Sequence, residues 1–194
     1  MLAGLPIPLR PIQLLLLNLV TDGAPALALG LEKGEPDIMQ RPPRPTKEPV
    51  INKDMLYSIA VIAIADTVAV LGVFYLALQR FPGNVMAAQT IAFSTLVCSE
   101  LLRAYTSRSE TYSIFSIGVF SNKWMVLATG ASFLMLLAAV YLPFLQPFVD
   151  TVSLSASDWL LMLPFMFVAP AAAEIVKVFL RRKASRMAQA PAAG

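Results

Sequence analysis

The 194-residue chain is 57% apolar and 14% charged, with a mean hydropathy of +0.68 and a net charge of +3. A soluble domain of this length carries nearer to about 25% charged residues, so the composition suits lipid as solvent better than a large water-exposed surface. With no histidine and a single cysteine, Cys98, neither a disulfide framework nor a Cys/His zinc site can form within the chain. The basic residues flank apolar runs instead of forming a patch on a soluble domain, which argues against nucleic-acid binding.

Five apolar segments approach or reach the roughly 20 residues needed to cross a bilayer as a helix. They cover about 11–30, 55–79, 85–103, 124–142 and 159–179, and they predict an all-α integral membrane bundle of five transmembrane helices. The first follows Met1 and Arg10 and could pass for a signal peptide. A cleavable signal does not run on through Asn18 and Asp22 into a proline-rich charged loop. That loop, 31–54, is dominated by "EKGEPDIMQRPPRPTKEP" and reads as an extended, semi-rigid connection. The second span carries Asp66. The third is interrupted by Gln89, Ser94, Ser99 and Glu100 and is followed by the polar stretch "TSRSETYSIFSIGVFSNK". The fifth span closes a membrane domain of residues 1–180, and residues 181–194 form a basic tail expected to fray at its end.

Charge fixes a sidedness. Thirteen of the fifteen lysines and arginines fall on the side that holds the 31–54 loop and the tail, and only Arg10 and Arg80 fall on the other. The positive-inside rule then makes the C-terminus cytoplasmic. An odd number of spans leaves the N-terminus outside. A first helix inserted that way is expected to have further sequence upstream. The short loops and lean tail point to a bacterial inner membrane.

The first span holds the densest chemistry. Asn18, Thr21 and Asp22 stand at i, i+3 and i+4, so one helix face offers an amide, a hydroxyl and a carboxylate. All three supply oxygen, the donor that hard cations such as calcium require. Gly23 weakens the helix, and Pro25 lacks the N–H that the carbonyl of Thr21 would use. Free backbone oxygen at membrane depth survives only inside protein or along a cavity. The segment therefore reads as a partly broken helix offering oxygens to a cation, against the plainer alternative of polar glue between helices. Glu100 is the second intramembrane carboxylate, with Arg103 at i+3 available for a local ion pair. Asp66 is the third. It has no partner in its own neighbourhood, and a hydrogen-bonded or protonated acid between helices is the simpler reading, with ion or proton handling as the other. For Glu174, a pair with Lys177 at i+3 is expected.

These residues carry a resemblance. "PIQLLLLNLVTDGAPALALGLE" followed by "DIMQRPPRPTKEPVI" resembles the sixth membrane helix and the next cytoplasmic loop of P-type calcium-pumping ATPases of the sarco/endoplasmic-reticulum kind. The five-span spacing, "SELLRAYTSRSE" and "EIVKVFLRRK" agree more loosely with the rest of the C-terminal membrane domain, helices six to ten. The resemblance implies that Asn18, Thr21, Asp22 and Glu100 ligate transported Ca2+, with Asp22 bridging two sites. It also implies that the loop from Asp37 to Pro49 couples them to the phosphorylation domain. The partners implied are the lipid bilayer and the remaining helices and cytoplasmic domains of a pump, through which alone ATP and Mg2+ would act. The phosphorylation signature DKTGT and the actuator TGE loop are absent, so the chain is not expected to catalyse by itself. Arg103 replaces a small polar residue of the family pattern, which implies one calcium per cycle if its guanidinium stands in for the second. The competing reading is a stand-alone, non-enzymatic helical membrane protein that scaffolds or regulates a partner. A complete secondary transporter is disfavoured because the "NLVTDG" pattern has no second copy.

Overall fold

The computed structural model of the protein describes residues 6–34, 49, 51–109 and 112–189, including their side chains except those of Lys53 and residues 183–189. The described elements are α1 (Pro11–Asp22), α2 (Ala24–Gly30), α3 (Lys53–Arg80), α4 (Val85–Thr106), α5 (Ile114–Ile117), α6 (Lys123–Tyr141), α7 (Gln146–Val149), α8 (Ala156–Met166) and α9 (Val168–Gln189). No strand occurs among the described residues. Among the described residues, five helical stretches are long and apolar enough to cross a membrane: 11–30, 54–80, 85–106, 123–141 and 156–182. They match the five predicted spans to within a few residues, and α5 and α7 are single turns in the connections.

Local signals set the helix starts. Asn52, Asn84 and Asn122 each precede a span and accept from the first-turn N–H groups of Met55, Ala87 and Met125 at 2.8, 3.1 and 3.1 Å. These are the N-terminal donors an α-helix cannot satisfy itself, and an asparagine oxygen meets them well. Ser155 and Asp158 form a capping box ahead of α8.

The third span is the axis of the bundle. α4 packs against α1, α2, α3, α6, α8 and α9, and it is by far the most enclosed of the five spans. The hydroxyls that interrupt it in sequence, together with its small side chains, explain this position. In lipid no hydrophobic gain drives helix pairing, and small residues let backbones approach closely. Ala87, Ala88, Ala92, Ser94, Thr95 and Ser99 are all buried there, around the fully enclosed Ile91, Phe93 and Val97. The threonines satisfy themselves, Thr90 and Thr95 donating to the carbonyls of Met86 and Ile91 at 2.9 and 2.7 Å.

The fifth span differs from the single helix the sequence predicts. It breaks at Phe167 into α8 and α9. Pro170 has no N–H for the carbonyl of Met166 four residues before it, which interrupts the helical hydrogen bonding there. Gly72 of α3 sits opposite, where an added Cβ would lie 3.3 Å from the ring of Phe165. α9 runs on into the tail as far as Gln189, since its arginines, lysine and alanines are good helix formers and basic charge suits a helix C-terminus.

Candidate ion site

The first span is broken where its composition says it should be. α1 ends at Asp22, Gly23 has φ −73° and ψ −96°, and α2 starts at Ala24. A Cβ at Gly23 would come within 2.9 Å of the Leu19 carbonyl oxygen, so only glycine lets the two halves meet at this angle. Pro25 falls in the first turn of α2, where a missing N–H costs nothing.

The break divides two faces. Val20, Pro25 and Ala28 are buried against the bundle, and the carbonyl of Val20 accepts from the buried Ser132 of α6 at 2.6 Å. At about 100° per residue, Asn18 and Asp22 each stand roughly 160° around the helix from Val20, and both are exposed. Thr21 lies between, half-buried, donating to the Leu17 carbonyl at 3.0 Å with Asp22 Oδ1 at 3.4 Å. Thr21 and Asp22 therefore come together. Asn18 shares their face without a hydrogen bond to either. Among the described residues no helix covers this polar face.

Glu100 lies on α4, half-buried, and forms the local ion pair with Arg103 that the spacing allows. No group of three or more acidic, histidine or cysteine side chains that could hold a metal occurs among the described residues. The oxygens of the first span are of the kind a hard cation takes, and those of Asn18 and Asp22 stand exposed. Asp66 does have a partner that sequence neighbourhood could not reveal, because it comes from another helix: Ser99 of α4 donates to its Oδ1 at 2.7 Å. The Glu174–Lys177 pair forms at 2.9 Å, and Lys177 Nζ also donates to the carbonyls of Thr106 and Tyr112 at 2.6 and 3.3 Å.

Two polar clusters that the sequence reading did not single out hold the broken helix at its ends. At the α2 end, the wholly buried Arg108 donates to both carboxylate oxygens of Glu32 at 2.7 and 2.8 Å. It also donates to the carbonyls of Gly118 and Val119 and to Ser121 Oγ. Asn122 joins them, donating to Glu32 Oε2 at 2.8 Å and to the Ala28 carbonyl at 3.0 Å. The Arg108 hydrogen bonds hold the Glu32 carboxyl below its ordinary value of 4.5, outweighing the opposing effect of burial. At the other end, Arg10 pairs with Asp150 at 2.9 Å and donates to Gln89 at 3.1 Å. The fully buried Gln13 donates to the Asp150 carbonyl at 3.0 Å. Arg80 likewise meets an acid, Asp158, at 3.4 Å. Both basic residues of the positive-poor side thus have a carboxylate beside them. The signal for the first cluster was Glu32, the first acid beyond the span, but its partner lies 76 residues away in sequence.

Fold and site together define a multi-pass helical membrane protein with a broken, oxygen-bearing helix on its open flank. The chain belongs to the family described as cation transporting ATPase, C-terminus, which matches residues 6–179. Its relatives include a calcium-transporting ATPase of Bacillus subtilis, 42% identical over 163 residues, covering 84% of this chain and 18% of the relative. Calcium-transporting ATPase 1 of Yarrowia lipolytica is 39% identical, covering 81% and 17%. Human calcium-transporting ATPase type 2C member 1 is 34% identical, covering 91% and 19%. The chain spans about a fifth of the length of these relatives. They come from a bacterium, a yeast and a mammal, so they do not single out a bacterial membrane, and their names do not single out the sarco/endoplasmic-reticulum kind.

Proposed function

We propose that the chain is the C-terminal membrane region of a P-type calcium-translocating ATPase and supplies part of its intramembrane ion site. Asn18, Thr21 and Asp22 contribute oxygen from the broken first span, and Glu100 contributes from the third. The observation that carries this reading is the placement of Asn18 and Asp22. A carboxylate and an amide on a helix flank facing lipid would be costly, whereas the same groups facing further helices of a pump complete a cation shell. A self-contained scaffold would turn them inward as interhelical hydrogen bonds.

In this reading calcium is the cargo, and ATP and Mg2+ act in segments outside this chain. The loop from Asp37 to Pro49, which apart from Pro49 lies outside the described residues, transmits their movement. The C-terminus and the basic residues 181–194 lie in the cytoplasm, and the short loops favour a bacterial inner membrane. Alternating access follows from moving α1 and α2 against helices on their open side, with Gly23 as the point where the two halves turn. The threonine at position 21 favours the sarco/endoplasmic-reticulum kind of site.

The test is Asp22→Asn in a full-length pump carrying this chain as its C-terminal region. Calcium-dependent phosphoenzyme formation is expected to disappear while the protein still reaches the membrane. Retained calcium dependence would refute the assignment of Asp22.

A further inference from the structure

Asp66 is the intramembrane carboxylate that the ion-site reading leaves unused. It is thirteen residues into the 28-residue α3, about 20 Å from the helix start at 1.5 Å per residue and so close to its midpoint. Its hydrogen-bond donor is the hydroxyl of Ser99, itself buried. One neutral hydrogen bond recovers only a small part of what an ionised carboxylate loses on leaving water. The surroundings therefore suit a neutral carboxylic acid, and such a group needs a route for its proton.

A cleft of about 580 Å³ leads towards it. It opens between the ends of α3, α4 and α9 that carry the basic residues. Met55, Ser58, Ile59 and Ile62 line it along one face of α3, and Asp66 is the next residue on that face, four beyond Ile62. Arg103 lines it along α4, four residues beyond Ser99. Both walls thus stop one helical turn, roughly 6 Å, short of the Asp66–Ser99 pair.

The charged and titratable groups on the packed elements leave this role to Asp66. On α4, Glu100 and Arg103 are paired with each other, although Arg103 also acts on Asp66 at longer range. Cys98 is buried and Tyr105 is engaged with Thr129. On α9, Glu174 and Lys177 are paired and Arg181 stacks over Tyr112 at the mouth, near Arg182. α8 brings Asp158 at the opposite end, beside Arg80 of α3. α3 itself adds Asp54 and Tyr57 near the mouth and Tyr75 towards the far end.

We propose that Asp66 is a proton-binding site in exchange with the aqueous side through the α3–α4–α9 cleft, with Ser99 orienting its carboxyl. A hydronium in the cleft gives up an O–H bond as one forms on Asp66 Oδ2, leaving water, and the reverse step returns the proton. This assignment stands independently of the calcium ligands.

Infrared difference spectroscopy on the full chain in lipid nanodiscs tests it. A carbonyl band of a protonated carboxylic acid is expected at neutral pH, absent in Asp66→Asn. On transfer to D2O it should shift promptly, and Ile62→Trp, which fills the inner end of the cleft, should slow that shift at least tenfold. An Asp66-dependent band missing at neutral pH would overturn the proposal, as would exchange equally fast with the cleft filled. Should Asp66→Asn not fold, Ser99→Ala replaces it. Loss of the donor is expected to move the band to higher frequency, and an unmoved band would overturn the assignment.

Discussion

Glu32→Ala probes the cluster that fixes the end of the broken helix. The substitution removes both Arg108–Glu32 hydrogen bonds and the one from Asn122. It leaves a guanidinium with no exposed surface and no counter-charge. Breaking a buried ion pair from one side costs about 3–5 kcal/mol. Arg108 keeps the carbonyls of Gly118 and Val119 and the hydroxyl of Ser121, so the loss should lie near the low end, about 3 kcal/mol. Glu32→Gln keeps the shape and one acceptor oxygen and should cost less, roughly 1–3 kcal/mol. Replacing both partners, Glu32→Leu with Arg108→Leu, should recover part of the loss because no charge is then stranded. The pair also predicts a pH dependence. Because the folded carboxyl titrates below its ordinary 4.5, the stabilisation is complete above that value and fades as pH falls through the depressed one. Glu32→Gln should lack this decline. Unfolding of the purified chain in mixed detergent micelles, followed by the fluorescence of Trp124 beside Asn122, measures all three variants. A Glu32→Ala loss under about 1 kcal/mol, the size of an exposed pair, would refute the reasoning.

Further outcomes follow from the same packing. Gly23→Ala should destabilise by about 1–3 kcal/mol in that assay, because its Cβ meets a main-chain carbonyl that cannot swing away. Gly130→Ala, with nothing within 4 Å of the added Cβ, should be neutral or stabilise by up to about 1 kcal/mol; an equal loss at both glycines would contradict the contact argument. Gln13→Leu should cost about 1–3 kcal/mol by stranding the Asp150 carbonyl, read from the same unfolding curves. In a full-length pump, counting calcium occluded per phosphoenzyme should give one ion, since Arg103 stands at Glu100, and two ions would rule out that role for Arg103.

The number, length and order of the spans were legible in the sequence because each is a local property: a run of apolar residues either reaches membrane length or does not. The break at Gly23 was legible for the same reason, since a glycine and a proline two residues apart act on their own helix. So were the pairs Glu100–Arg103 and Glu174–Lys177, which one helical turn brings together. What tertiary structure alone decided are relations between distant segments. Gln89, Ser94, Ser99 and Glu100 interrupt the third span in sequence, yet its polar and small residues are what allow α4 to sit at the centre, where neighbouring backbones come close. Asp66 had no visible partner because Ser99 reaches it from another helix, and Arg108 lies far along the chain from Glu32. The direction in which Asn18 and Asp22 point also belongs to this second group. Periodicity puts them on one face of the helix, but only the docking of Val20 and Ala28 against α6 turns that face away from the bundle.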